Sequence, residues 1–157
     1  MTADDYFAIQ NLIYRYCERL DRGDFEGVAR LFEHAALHVP ARDAPLRGVA
    51  AIAALYSQFT RLYPDSGTPK TRHVTSNVII EPDGENAARA QSYVLVHQAT
   101  EQLPLQPIIG GRYYDRFERI AGAWRFSERR MEIDLFGNLS AHLLQQFGPQ
   151  DDREPAS

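Results

Sequence analysis

The sequence predicts an α+β domain, three N-terminal helices packed on a curved, mostly antiparallel sheet, and two observations carry that expectation. Over the first sixty or so residues the apolar side chains recur at three- and four-residue steps, the helical period; after about residue 70 the chain switches to long alternating, aromatic-rich segments. Helices first and a run of antiparallel strands afterwards place the helices on one face of one sheet. With 157 residues, one domain can bury a sufficient core without disulfides or a structural metal.

The first helix is expected over Asp4 to Leu20, where Phe7, Ile9, Leu12, Ile13, Tyr16, Cys17 and Leu20 form the apolar stripe. Asp24 is placed to cap a second short helix with Phe25, Val28, Ala29, Leu31 and Phe32 on its buried side, ending near Glu33 to Ala36. A brief extended piece, Ala36 to Val39, and a loop, Pro40 to Gly48, lead to a third helix over Val49 to Leu62, with Pro64 beyond it as a stop signal. Arg72 to Glu81 and Ala87 to Thr100 read as strands joined by a turn at Pro82 to Asn86. Glu101 to Pro107 reads as a connection, and Ile108 to Arg119 and Ala123 to Asp134 as a second hairpin across Ile120, Ala121 and Gly122. Residues 135 to 147 are expected to add a short helix and close the domain, which spans residues 1–147. The Pro-containing, charged stretch Gly148 to Ser157 is expected to be a flexible tail.

Composition narrows the function. The net charge of -4 and the interleaving of Arg112, Arg116, Arg119, Arg125, Arg129 and Arg130 with acids argue against a nucleic-acid partner. No run of 18 apolar residues occurs, and no basic segment precedes an apolar one at the N-terminus, so a cytoplasmic protein without a membrane partner is expected. The single cysteine, Cys17, on the apolar stripe of the first helix, reads as a small hydrophobe rather than a nucleophile. His34 and His38 are four apart but lack the further ligands of a metal site. Gly110-Gly111 precedes a strand and is no dinucleotide loop, and the serines lack a nucleophile elbow.

His73 is the lead candidate for chemistry, because histidine alone has an unperturbed pKa near neutrality and can move protons when a carboxylate orients its ring. Asp21 is the natural partner. At the C-terminal end of a helix its charge is disfavoured by the helix dipole and calls for a compensating neighbour. On composition alone the alternative is that Asp21 opens the turn into Arg22-Gly23-Asp24 and His73 bonds at a strand edge. Tyr16, five residues before Asp21, reads mostly as packing.

Four segments, YCERLDRGDF at Tyr16 to Phe25, HVTSN at His73 to Asn77, ARAQSYVLV at Ala88 to Val96 and GGRYYDRFERIAGAWRFSER at Gly110 to Arg129, resemble in order and spacing the SnoaL-like family of the nuclear-transport-factor-2-like (NTF2-like) superfamily. The likeness covers roughly residues 5 to 145 and is strongest to the branch of scytalone dehydratase, bile-acid 7α-dehydratase and hexachlorocyclohexane dehydrochlorinase. It implies a cone-shaped α+β barrel, a homodimer or homotrimer, and a small-molecule substrate handled without cofactor or metal. In that branch a histidine opening this strand works with an aspartate just after the first helix, matching His73 and Asp21. A tyrosine or lysine five residues before the aspartate matches Tyr16, and an arginine late in the last strand matches Arg129. The bile-acid enzyme's second acid falls at Val96; His97, its neighbour, is expected on the opposite face unless a bulge intervenes.

The resemblance implies a dehydratase-like lyase acting on a mostly apolar molecule, cyclic ones included, with His73 as base, Asp21 orienting it, and Tyr16 and Arg129 polarising the substrate. Two rivals share the fold: a module that binds an apolar ligand without transforming it, and a structural subunit like the small chain of ring-hydroxylating dioxygenases.

Overall fold

The computed structural model describes residues 1–40 and 42–145. Helix α1 (Ala3–Asp21) begins on a capping box: Thr2 Oγ1 accepts from the Asp5 main chain, and the Asp5 carboxylate accepts in turn from Thr2 N–H. The same carboxylate receives Trp124 Nε1 at 3.0 Å and the Arg119 guanidinium, which fastens the helix start to the sheet. Helix α2 (Phe25–Leu31) is capped by Asp24, as the sequence indicates, through the N–H of Gly27 at 2.9 Å. It tightens into turns beyond Leu31, sooner than expected.

Helix α3 (Val49–Phe59) also stops early, before Leu62. Thr60 becomes extended and pairs with Leu143, so the segment that follows the sheet, rather than Pro64, ends the helix.

Five strands follow the order β1-β5-β4-β3-β2. They are β1 (Ala36–His38), β2 (Thr71–Pro82), β3 (Ala87–Gln98), β4 (Gln106–Ile120) and β5 (Ala123–Phe136). Among the described residues only β1, lying against β5, is parallel. The β4–β5 hairpin turns on Ala121 and Gly122, both with positive φ (50° and 81°), the two-residue turn whose twist matches paired strands. The sheet is curved and unclosed among the described residues, its edges being β1 and β2.

Bulges produce that curvature and decide which side chains face inward. Between Ser76 and Ile79 the register slips by one, with Asn77 at φ 50°. Thr71, His73 and Thr75 therefore face inward before the slip, and Val78 and Ile80 after it. A second slip, at Ser127, explains an oddity of the sequence: Trp124 and Phe126 lie on one parity and Met131 and Ile133 on the other, yet all point inward. A third sits beside Gly111, where a Cβ would come within 2.2 Å of the Glu132 carbonyl oxygen, so only glycine admits this approach of β4 to β5.

The core lies between the concave sheet face and the helices, built from Ile9, Ile13 and Cys17 of α1, Val28, Phe32 and Ile52 of α2, its C-cap and α3, and Val94, Phe117 and Phe126 of the sheet. The helix expected over residues 135 to 147 does not form among its described residues. There the main chain donates instead to other elements, Gly137 to Ile108 and Leu144 to Phe59, leaving only a turn around Leu139 to His142. The tail expected over 148–157 lies outside the described residues. No helix among the described residues is long and apolar enough to cross a membrane.

Candidate active site

Between the concave sheet and the helices is a cavity of about 400 Å³. Tyr16 and Leu20 of α1, Leu55, Tyr56 and Phe59 of α3, and Val96, Tyr113, Met131 and Ile133 of the sheet line it, and Leu139, His142 and Leu143 cover it from the C-terminal segment. Among the described residues no Lys, Arg, Asp or Glu lines it; polarity comes from His73, His142, Thr60 and the three tyrosines.

Asp21 closes α1 and its carboxylate meets the first inward residues of β2. Oδ1 lies 2.6 Å from His73 Nδ1 and accepts the Thr71 hydroxyl at 2.8 Å, while Oδ2 accepts the His73 main-chain N–H at 2.9 Å. Three donors thus satisfy a charge that the helix dipole disfavours. Burial opposes the charge of Asp21, but the bonds from His73 and Thr71 outweigh it and hold its carboxyl below the usual carboxylate value. Both side chains are well shielded, His73 at 9% and Asp21 at 13% exposure, and the imidazole lines the cavity. With Nδ1–H donated to the carboxylate, Nε2 is the nitrogen left to accept a proton.

Tyr16 also lines the cavity, its hydroxyl 3.1 Å from that of Tyr56 on α3. Burial pushes the phenols of Tyr16, Tyr56 and Tyr113 upward, so all three are neutral hydrogen-bonding groups.

Arg129 stands behind this wall rather than in it. Fully buried, it makes two bonds of 2.7 Å to Asp115, and its guanidinium lies 4.2 Å from the ring centroid of Tyr16 and 4.3 Å from that of Tyr113. Desolvation opposes the charge of Arg129, and the Asp115 carboxylate more than restores it. Its path to a bound molecule runs through the tyrosine rings.

Val96 lines the cavity where the resemblance puts an acid, and His97 keeps to the other face. The bulge beside it inserts Ile108 into β4 and leaves the alternation of β3 intact. Cys17 bonds Thr75 Oγ1 at 3.2 Å, and burial raises its thiol, which does not favour the nucleophilic thiolate. His34 lies in a turn and His38 on β1, so they share no helix, and no group of three or more metal-ligating side chains occurs among the described residues.

Sequence reasoning missed Thr71, Tyr56, Asp115 and His142. Thr71 was within reach, since it shares parity with His73. The others are brought in by packing of distant elements, which no local spacing announces.

A SnoaL-like domain model matches residues 1–130. A search of curated proteins returns no match. Among solved structures, a Mycobacterium tuberculosis protein of unknown function is similar at 28% identity, with TM-score 0.69 over 85% of this chain and 78% of that one. A Catenulispora acidiphila protein solved in complex with S-DNPA is similar at 25% identity, TM-score 0.67, over 85% and 96%. A Novosphingobium aromaticivorans protein provisionally assigned as a scytalone dehydratase shares the fold at 23% identity, TM-score 0.67, over 95% of each chain.

Proposed function

The chain belongs to the SnoaL-like domain family, and from that premise we propose that it is a cofactor-independent lyase carrying out a dehydratase-like elimination on a small, mostly apolar, uncharged molecule. The observation that carries this reading is the 2.6 Å contact of His73 Nδ1 with Asp21 at the wall of an apolar cavity. Nε2 of His73 takes a proton from the carbon next to the one bearing a hydroxyl. The C–H electrons form the double bond, the C–O bond breaks, and the imidazolium returns its proton to the departing oxygen, giving water and neutral His73. Asp21 steadies the transient imidazolium, and the Tyr16 and Tyr56 hydroxyls hold a substrate oxygen that gains negative charge. Arg129, polarising the Tyr16 and Tyr113 rings from behind, acts as a positioning residue.

The test is a panel of uncharged cyclic β-hydroxy ketones, followed by enone absorbance and by deuterium exchange at the acidic carbon. Turnover that falls by orders of magnitude in folded Asp21→Asn and His73→Ala supports the reading; turnover near wild type in either variant sinks it.

One observation favours a second reading, a module that binds without transforming: Val96 faces the cavity where the bile-acid enzyme carries its second acid. Ligand-induced thermal stabilisation with neither product nor exchange would select it. Self-association into a homodimer or homotrimer fits the outer sheet face, where exposed Val74, Leu95 and Leu135 stand in one cross-strand row with Gly110. Sedimentation showing only monomer would remove that part.

A further inference from the structure

The segment after β5 brings one histidine to the cavity that the proposed elimination leaves unused. His142 is 7% exposed and lines the same cavity as His73. Its Nδ1 is buried and has no hydrogen-bond partner among the described residues, so the ring's polar capacity is unspent within them.

The backbone around the ring is firmly held. The carbonyl of Ala141 accepts from Tyr63 Oη at 2.7 Å and from Gln98 Nε2 at 3.2 Å, and that of His142 accepts from Arg61 N–H at 2.8 Å. The ring of His142, carried on this held backbone, lines a mostly apolar wall and makes no hydrogen bond to a described residue, so it has hydrogen-bonding capacity left for a polar atom brought by a ligand. Burial, and next electrostatic coupling to His73, push its pKa down to about 4, so at neutral pH the imidazole is uncharged and can exchange a hydrogen bond without demanding an ionic partner.

We propose that His142 is a second ligand-contacting residue of this cavity, an imidazole that hydrogen-bonds an oxygen of an uncharged ligand and so selects oxygenated over purely hydrocarbon molecules. The inference rests on the cavity being the functional site but not on elimination taking place there, so it is tested by equilibrium binding with probes that cannot react.

The probes are 2-naphthol and 2-methylnaphthalene, matched in size and differing in one hydroxyl, titrated by fluorescence against wild type, His142→Leu and His142→Asn. The ratio of the two dissociation constants should shift against the naphthol by about five- to tenfold in His142→Leu. It should recover in part in His142→Asn, which keeps a hydrogen-bonding head. In wild type the His142 ring resonances should move with naphthol and not with methylnaphthalene, a readout that needs no variant to fold. An unchanged ratio, equal weakening of both probes, ring resonances indifferent to naphthol, or no binding of either probe by folded wild type would each overturn the proposal. Loss of exchange activity in Asp21→Asn with the ratio untouched in His142→Leu would reject this inference and keep the elimination.

Discussion

Asp21 accepts from His73 twice, from the ring at 2.6 Å and from the main chain at 2.9 Å. The carboxylate is therefore clamped by the backbone of β2 as well as by the imidazole it orients, and Thr71 adds a third bond. Replacing Asp21 by Asn preserves the shape but removes the charge that steadies an imidazolium and sets the tautomer. Turnover should fall by about 10²- to 10⁴-fold. Stability should change by no more than about 2 kcal/mol. Parallel kinetics and urea denaturation check both; a variant that loses activity only because it unfolds would remove Asp21 from the mechanism.

Arg129 and Asp115 form a buried pair in which neither partner can turn to water. Truncating one leaves the other charged and uncompensated, which costs about 3 to 5 kcal/mol. Asp115→Ala should show a loss of that size in chemical denaturation, and Asp115→Leu combined with Arg129→Met should recover much of it. A loss below about 1 kcal/mol in Asp115→Ala would mean that the guanidinium finds water or the aromatic cage suffices.

The bulge at Asn77 supports the same site from a distance. Its φ of 50° lies in the left-handed region, which asparagine tolerates and β-branched residues resist. Asn77→Val should destabilise by roughly 1 to 2 kcal/mol while Asn77→Gly stays near wild type. Equal effects of the two substitutions, measured by thermal unfolding, would show that the asparagine side chain rather than the backbone conformation matters there.

The element order was readable because periodicity is a local property: the stripe through Ile9, Ile13 and Leu20 can be satisfied only by a helix with one buried face. The short helix expected after residue 135 failed because its main-chain groups are claimed by Phe59 and Ile108, a tertiary competition that outweighs propensity. Bulges were the other blind spot. The clash of parity between Phe126 and Met131 was visible in the sequence, but its resolution at Ser127 depends on pairing with β4. At the site, Asp21 betrayed itself by standing at the wrong end of a helix for a carboxylate. By pattern alone Arg129 looked like one more member of a charged strand, and only the resemblance marked it; its burial rests on Asp115 and on the rings of Tyr16, Phe32, Tyr113 and Phe126 packed around it.

His142 makes stability depend on pH in a definite direction. The folded chain holds its pKa near 4, while in the unfolded chain an imidazole titrates near the ordinary value of about 6.5. Between those values the unfolded state binds the additional proton, so stability rises with pH across the window and is lost as the solution is acidified through it. Asp21, whose folded carboxyl is held low by His73 and Thr71, contributes stability that is present above the unfolded carboxylate value of about 3.9 and disappears only below it. Acidification from about pH 7 to about pH 4.5 should therefore cost wild type more than it costs His142→Leu, by up to roughly 3 kcal/mol at the lower limit of the window. Denaturant titrations at several pH values measure the difference directly. Parallel curves for the two proteins would mean that the His142 ring protonates in place, and the neutral hydrogen-bonding group assigned to the cavity wall would have to be given up.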